Sequence, residues 1–88
     1  MMLRYYVAYY LPKNGDRMVA EVLDFPGVCS QGFDLPDARG MIASALEDIA
    51  QTYLEEGKPL PLPDANAASI DADLVEMLPL SVEVLHRT

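Results

Sequence analysis

Residues 3–11 alternate in the way a half-buried strand does. Leu3, Tyr5, Val7, Tyr9 and Leu11 fall on one face and Arg4, Tyr6, Ala8 and Tyr10 on the other. Lys13-Asn14-Gly15-Asp16 follows, and Asn-Gly is the strongest short signal for a hairpin, because a type I′ turn needs positive φ at both central residues. Residues 17–23 return as a second strand. Asp24-Phe25-Pro26-Gly27 predicts another turn, with proline presetting φ and glycine relieving the steric limit after it. Residues 28–33 form a third, short strand, in which Gly32 allows a bulge or a close backbone approach.

From Asp34 the period changes to that of a helix. Asp34 suits the N-cap, Pro36 the first turn, and Asp37 the positive end of the dipole. Ala38, Met41, Ile42, Ala45, Leu46, Ile49 and Tyr53 make an apolar stripe for packing on a sheet, with Arg39, Ser44, Glu47, Asp48, Gln51 and Glu55 mostly outside it. Gly40 weakens this helix slightly and is read as room for close approach to the sheet. Gly57 and Pro59 end it. Residues 57–68 read as a proline-rich connector. Residues 70–78 fit a strand or a short helix, interrupted at Pro79, and 80–85 alternate again, which predicts a strand within 70–86.

The expected fold class is α+β, in the order β-β-β-α-β: a three-stranded antiparallel meander, one main helix on one face, and a C-terminal strand on an edge. A length of 88 residues gives one domain, residues 1–88, with its core in 3–56. Open edges on so small a sheet favour a homodimer or homotetramer.

Charge narrows the function. Fourteen acidic and six basic residues give a net charge of −8. Nucleic-acid binding draws on cations that neutralise phosphates, so this chain is not expected to bind DNA or RNA directly. Neither a signal peptide nor a membrane span is visible, and the cytoplasm is the default location. One cysteine, Cys29, excludes an internal disulfide and a cysteine-rich zinc site, and the lone His86 excludes a histidine cluster. Neither a cofactor nor a resident metal is expected. In a strand, Cys29 reads as a small buried hydrophobe. The first strand carries no acid, and the helix carboxylates read as caps and a solvated face, so metal-dependent hydrolysis is disfavoured. Ser30 and Gln31 could contact a partner or simply face outward. Tyr6 and Tyr10 leave amphipathic rings for a protein interface on the face opposite the helix.

This order of elements resembles the HicB family of bacterial antitoxins, in their N-terminal, partly RNase-H-like domain. Family members have a tyrosine-rich first strand, a glycine turn, a second strand, a segment like Asp-Leu-Pro-Gly-Cys-Val-Thr-Gln-Gly, and a capped helix closing in Gly-x-x-Leu-Pro-x-Pro. Here the matching pieces are Tyr5–Leu11, Asn14-Gly15, the segment from Asp24 to Gly32, and Gly57-Lys58-Pro59-Leu60-Pro61-Leu62-Pro63. Phe25 replaces leucine, Val28-Cys29 inverts the usual pair, and Asp34-Leu35-Pro36-Asp37 stands where Thr-Leu-Glu-Glu is common.

The resemblance implies a type II antitoxin that binds a small basic HicA-like toxin, an mRNA-cleaving protein, and covers its active site. It implies no enzymatic activity of the chain itself. For the toxin contact, the strand face and the turn before the third strand nominate Tyr6, Tyr10, Asp24, Phe25 and Gln31. Longer members add a C-terminal DNA-binding domain after a Leu-Pro junction like Leu78-Pro79; that domain is expected to be lacking here. The alternatives are an oligomeric interaction domain without a toxin and, third, a vestigial nuclease.

Overall fold

The computed structural model describes residues 2–12, 17–64, 69 and 71–81. Five elements follow in the expected order: β1 (Met2–Tyr10), β2 (Met18–Val22), β3 (Cys29–Gly32), α1 (Leu35–Glu55) and β4 (Leu74–Ser81). The strands form one sheet in the order β3-β2-β1-β4, each neighbour antiparallel to the next. β1 and β2 pair from Val7↔Val22 to Tyr10↔Val19. The Asn14-Gly15 turn lies outside the described residues, as do 82–85 and His86.

Hydrophobic alternation sets which side of the sheet is covered. Tyr5, Val7 and Tyr9 of β1 and Met18, Ala20 and Val22 of β2 are buried toward α1, with Leu80 of β4. Leu11 lies past the end of β1 and is 56% exposed, so the buried row stops at Tyr9. From α1 the sheet receives Ala38, Ile42, Leu46 and Ala50, all wholly buried. The stripe is therefore turned from the expected one. Ala50 belongs to its centre, and Met41 sits on its shoulder beside β3, 49% exposed, because no strand lies beyond β3 to cover it.

Two glycines have clear work. Gly27 takes φ +84°, and Val28 N–H donates to Phe25 O (3.3 Å), closing a turn with Pro26 ahead of the left-handed position. Gly57 takes φ +71° and ends α1: its N–H donates to Leu54 O (3.1 Å) and Lys58 N–H to Tyr53 O (2.8 Å). This is the paired-bond C-terminal cap that favours glycine. At the other end Asp34 Oδ1 accepts from Asp37 N–H, while Asp37 Oδ2 reaches back to Phe33 N–H, both at 2.9 Å. Gly40 does not bring the helix closer to the sheet, since a Cβ there would meet open space.

Phe25 closes the core at the turn end. Its ring lies between Tyr5 (5.5 Å between centroids) and Tyr53 (5.1 Å, edge-on). The connector after α1 passes over this cluster. Tyr5 hydroxyl donates to Pro61 O (2.6 Å), Asp64 N–H donates to Asp24 Oδ2 (2.8 Å), and Leu60 packs on the core.

Pro79 does not interrupt the last strand, contrary to the sequence reading. It pairs with Arg4 inside β4. An edge strand tolerates proline where the missing N–H would face away from the neighbouring strand.

Candidate functional site

The side of the sheet away from α1 is the candidate site. Strand parity fixes its membership. Residues opposite one another across an antiparallel ladder share a face. Tyr10 pairs with Val19, and Val19 with Gln31; Val75, Ala8, Glu21 and Cys29 form the next row; Tyr6 pairs with Met77. This face therefore holds Tyr6, Tyr10 and Gln31 together, three of the five residues expected at a partner contact.

No element described covers it, and its apolar members are open: Val19 is 41%, Val75 39% and Met77 49% exposed. Tyr6 and Tyr10 are half-buried, and Gln31 is exposed. Ala8, flanked by the two tyrosines on its own strand, has no exposed surface. A face with aromatic rings over a small residue and aliphatic side chains around it suits protein contact better than solvation.

The Tyr10 hydroxyl is engaged within the face. It donates to Glu21 Oε1 (2.5 Å) and lies 2.9 Å from Ser69 Oγ. Desolvation, followed by the Glu21 hydrogen bond, raises its pKa. Tyr10 thus offers a partner its ring more than its hydroxyl.

Asp24 and Phe25 belong elsewhere. The Phe25 ring is fully buried in the core, so a direct contact through this side chain is not available. Asp24 is half-buried and holds the connector through Asp64. Its other oxygen, Oδ1, is enclosed with no hydrogen-bond partner. Cys29 is exposed at the sheet edge instead of buried, because its side chain points to the helix-free face.

Val75 and Met77 were not foreseen as site residues. The signal was present in the alternation Leu74, Glu76, Leu78, Leu80 against Val75, Met77, Pro79, but Pro79 obscured it. On the inner side of β4, Glu76 receives both Arg39 nitrogens, Nε to Oε1 at 2.7 Å and Nη2 to Oε2 at 2.9 Å, tying α1 to the strand. Among the described residues no group of three or more His, Cys, Asp or Glu could hold a metal ion. No helix among them is long and apolar enough to cross a membrane.

Compared with known protein families the sequence matches none, and it matches no curated protein. Solved structures share its fold. A toxin–antitoxin complex from Streptococcus pneumoniae includes a chain 21% identical, covering 96% of this chain and 72% of that one, at a TM-score of 0.75. The N-terminal domain of the Burkholderia pseudomallei antitoxin HicB is 19% identical, with 90% of this chain and 96% of that domain aligned and a TM-score of 0.64. The longer HicB structure from the same organism is 20% identical at a TM-score of 0.69, and the alignment spans 90% of this chain and 62% of the antitoxin. The fold is therefore that of a HicB N-terminal domain.

Proposed function

We propose that this protein is an antitoxin that neutralises a small basic HicA-like toxin by direct binding in the cytoplasm, without catalysis of its own. The observation that carries this reading is the fold likeness to a chain of a toxin–antitoxin complex along 96% of the protein. The net charge of −8 supports it, since an acidic surface attracts and orients a cationic RNA-binding partner.

The helix-free face is the contact. Tyr6 and Gln31, with Val19, Val75 and Met77, offer an open surface that mixes aromatic, aliphatic and amide groups. Asp24 acts indirectly, by holding the connector.

The test is capture of the tagged chain from its host, followed by nuclease assays on what co-purifies. A small basic protein recovered near one-to-one, released as salt rises, and inhibited as a ribonuclease by the added chain is the expected result. Recovery of the chain alone in repeated captures overturns the reading in favour of an interaction domain without a toxin.

A further inference from the structure

β3 is the last strand of the sheet on its side, and the ladder shows which of its backbone groups lack a neighbour. Val22 N–H donates to Val28 O at 2.9 Å, and the same register continues through Ala20↔Ser30 and Met18↔Gly32. Hydrogen-bonded pairs alternate along an antiparallel ladder. The N–H and C=O groups of Cys29 and Gln31 therefore point away from β2, into the open edge.

The helix runs back along this edge. Met41 lies beside Ser30 and Gln31, and further on Ala45, Asp48 and Ile49 lie beside Val28 and Cys29. Met41 is half-exposed, and Ala45 and Ile49 border a cleft of about 240 Å³. The apolar layer under α1 thus extends one strand further than the sheet does. Asp48 stands at the rim of the cleft, and its carboxylate has no hydrogen bond or ion pair among the described residues. The helix cation Arg39 is taken by Glu76, and Lys58 by Glu56.

The edge is acidic at both ends. Asp48 stands at the Cys29 end, and Glu21 is the register partner of Cys29. Asp34 and Asp37 stand at the Gly32 end, where the strand meets the first turn of α1. Capping occupies one oxygen of each and leaves their charge in place. Arg17 lies at this end too, with its guanidinium stacked at 4.5 Å on the Phe33 ring. Two such edges laid against each other would oppose carboxylate to carboxylate, on chains of net charge −8. The surface suits a cationic strand.

We propose that β3 accepts an extended, basic segment of a partner protein as a fifth strand, antiparallel to it, with the cationic side chains of that segment lying along α1. Residues opposite Cys29 and Gln31 exchange backbone hydrogen bonds with them and share the helix-free face. Residues opposite Val28, Ser30 and Gly32 turn to the helix side. A lysine opposite Val28 lays its aliphatic stem over Ala45 and Ile49 and sets its charge at Asp48. A lysine opposite Gly32 meets Asp34 and Asp37, and an aliphatic residue opposite Ser30 covers Met41. Two residues four apart on a strand stand roughly 13 Å apart, and Asp37 and Asp48 are separated by roughly 16 Å of helix, a difference that flexible lysine stems absorb. The inference concerns the edge and stands independently of what the helix-free face binds.

The probe is a heptapeptide with blocked ends, Thr-Lys-Thr-Val-Thr-Lys-Thr, which carries this pattern and reads the same in both directions. Followed by amide NMR, it is expected to saturate the chain at millimolar peptide and to slow hydrogen exchange at the Cys29 and Gln31 amides. Glutamate in place of both lysines is expected to abolish binding. Asp48→Lys, at an exposed helix position that leaves the fold intact, is expected to weaken the lysine peptide by about tenfold, because it turns attraction at the cleft into repulsion. Equal affinity for the lysine and glutamate peptides, an unaltered affinity in Asp48→Lys, saturation without slowed exchange at Cys29 and Gln31, or no saturation would each overturn the proposal. Exchange at those two amides that slows with protein concentration alone would assign the edge to a second copy and overturn it as well.

Discussion

Gly32, the last residue of β3, lies so close to the first turn of α1 that a Cβ at this position would sit 2.4 Å from the Ala38 backbone nitrogen. The obstacle is main chain, already bonded to Asp34 O at 2.9 Å, and it has no side-chain freedom with which to yield. Gly32→Ala is therefore expected to push β3 and α1 apart and to destabilise the protein by about 3 kcal/mol, at the upper end of ordinary overpacking. Urea unfolding of this variant beside Gly40→Ala checks it. Gly40 faces open space inside a helix, and there alanine is expected to stabilise by up to ~1 kcal/mol.

Tyr9 gives the fold an alkaline limit. Its ring is buried, and its pKa is pushed up to about 12, first by desolvation and then by its hydrogen bond to Glu76. An acid whose folded pKa exceeds the ordinary value of 10.0 favours the fold in its protonated form. That contribution is complete below pH 10 and is lost as the pH rises toward 12. Thermal unfolding from pH 8 to about pH 11 is expected to show a falling midpoint, with a shallower fall in Tyr9→Phe. Equal slopes would show that Tyr9 does not control the limit.

The connector should loosen when its anchor is cut. Asp24 Oδ2 accepts the Asp64 N–H, and Tyr5 hydroxyl holds Pro61 O. Asp24→Ala is expected to speed hydrogen exchange at the Asp64 amide, while the amides of β1 and β2 keep their protection. Tyr5→Phe costs about 1 kcal/mol, the usual net value of one hydrogen bond. Unchanged exchange at Asp64 in Asp24→Ala would mean that Asp24 is not what holds the connector.

Much of the fold was legible because local chemistry and global packing agree. Asp34, Pro36 and Asp37 mark the start of α1, Gly57 its end, and Pro26-Gly27 the turn before β3. The misreadings share a cause in tertiary geometry. Met41 has a core-like spacing, but only the position of the last strand decides what its shoulder of the helix meets. Pro79 breaks a central strand and is tolerated on an edge, and edge position is not written in β4 itself. Phe25 sits in a turn, where exposure is the default, yet Tyr5 and Tyr53 enclose it from elements far away in sequence. For the candidate face, the strand alternation located Tyr6 and Tyr10. It could not show that β4 would bring Val75 and Met77 to the same surface.

The helix-free face predicts how toxin binding should respond to substitution. Tyr6 and Val75 lie on neighbouring strands of that face, and their side chains support nothing beneath α1. Under the proposed function, arginine at either position places a large cation where the basic toxin would dock, adding repulsion as well as removing apolar contact. Tyr6→Arg and Val75→Arg are each expected to weaken toxin binding by about thirtyfold or more, equivalent to a hot-spot loss near 2 kcal/mol, with thermal midpoints close to the unaltered chain. Phe25→Ala should behave in the opposite way. It removes a fully buried ring and costs about 3–5 kcal/mol of stability, so any loss of binding follows from unfolding and is recovered at low temperature. Titration of the captured toxin by calorimetry, paired with a melting curve for each variant, separates the two. Full affinity in both arginine variants would remove the helix-free face from the interface and point to the Asp24–Gly27 turn or the outer side of α1 instead.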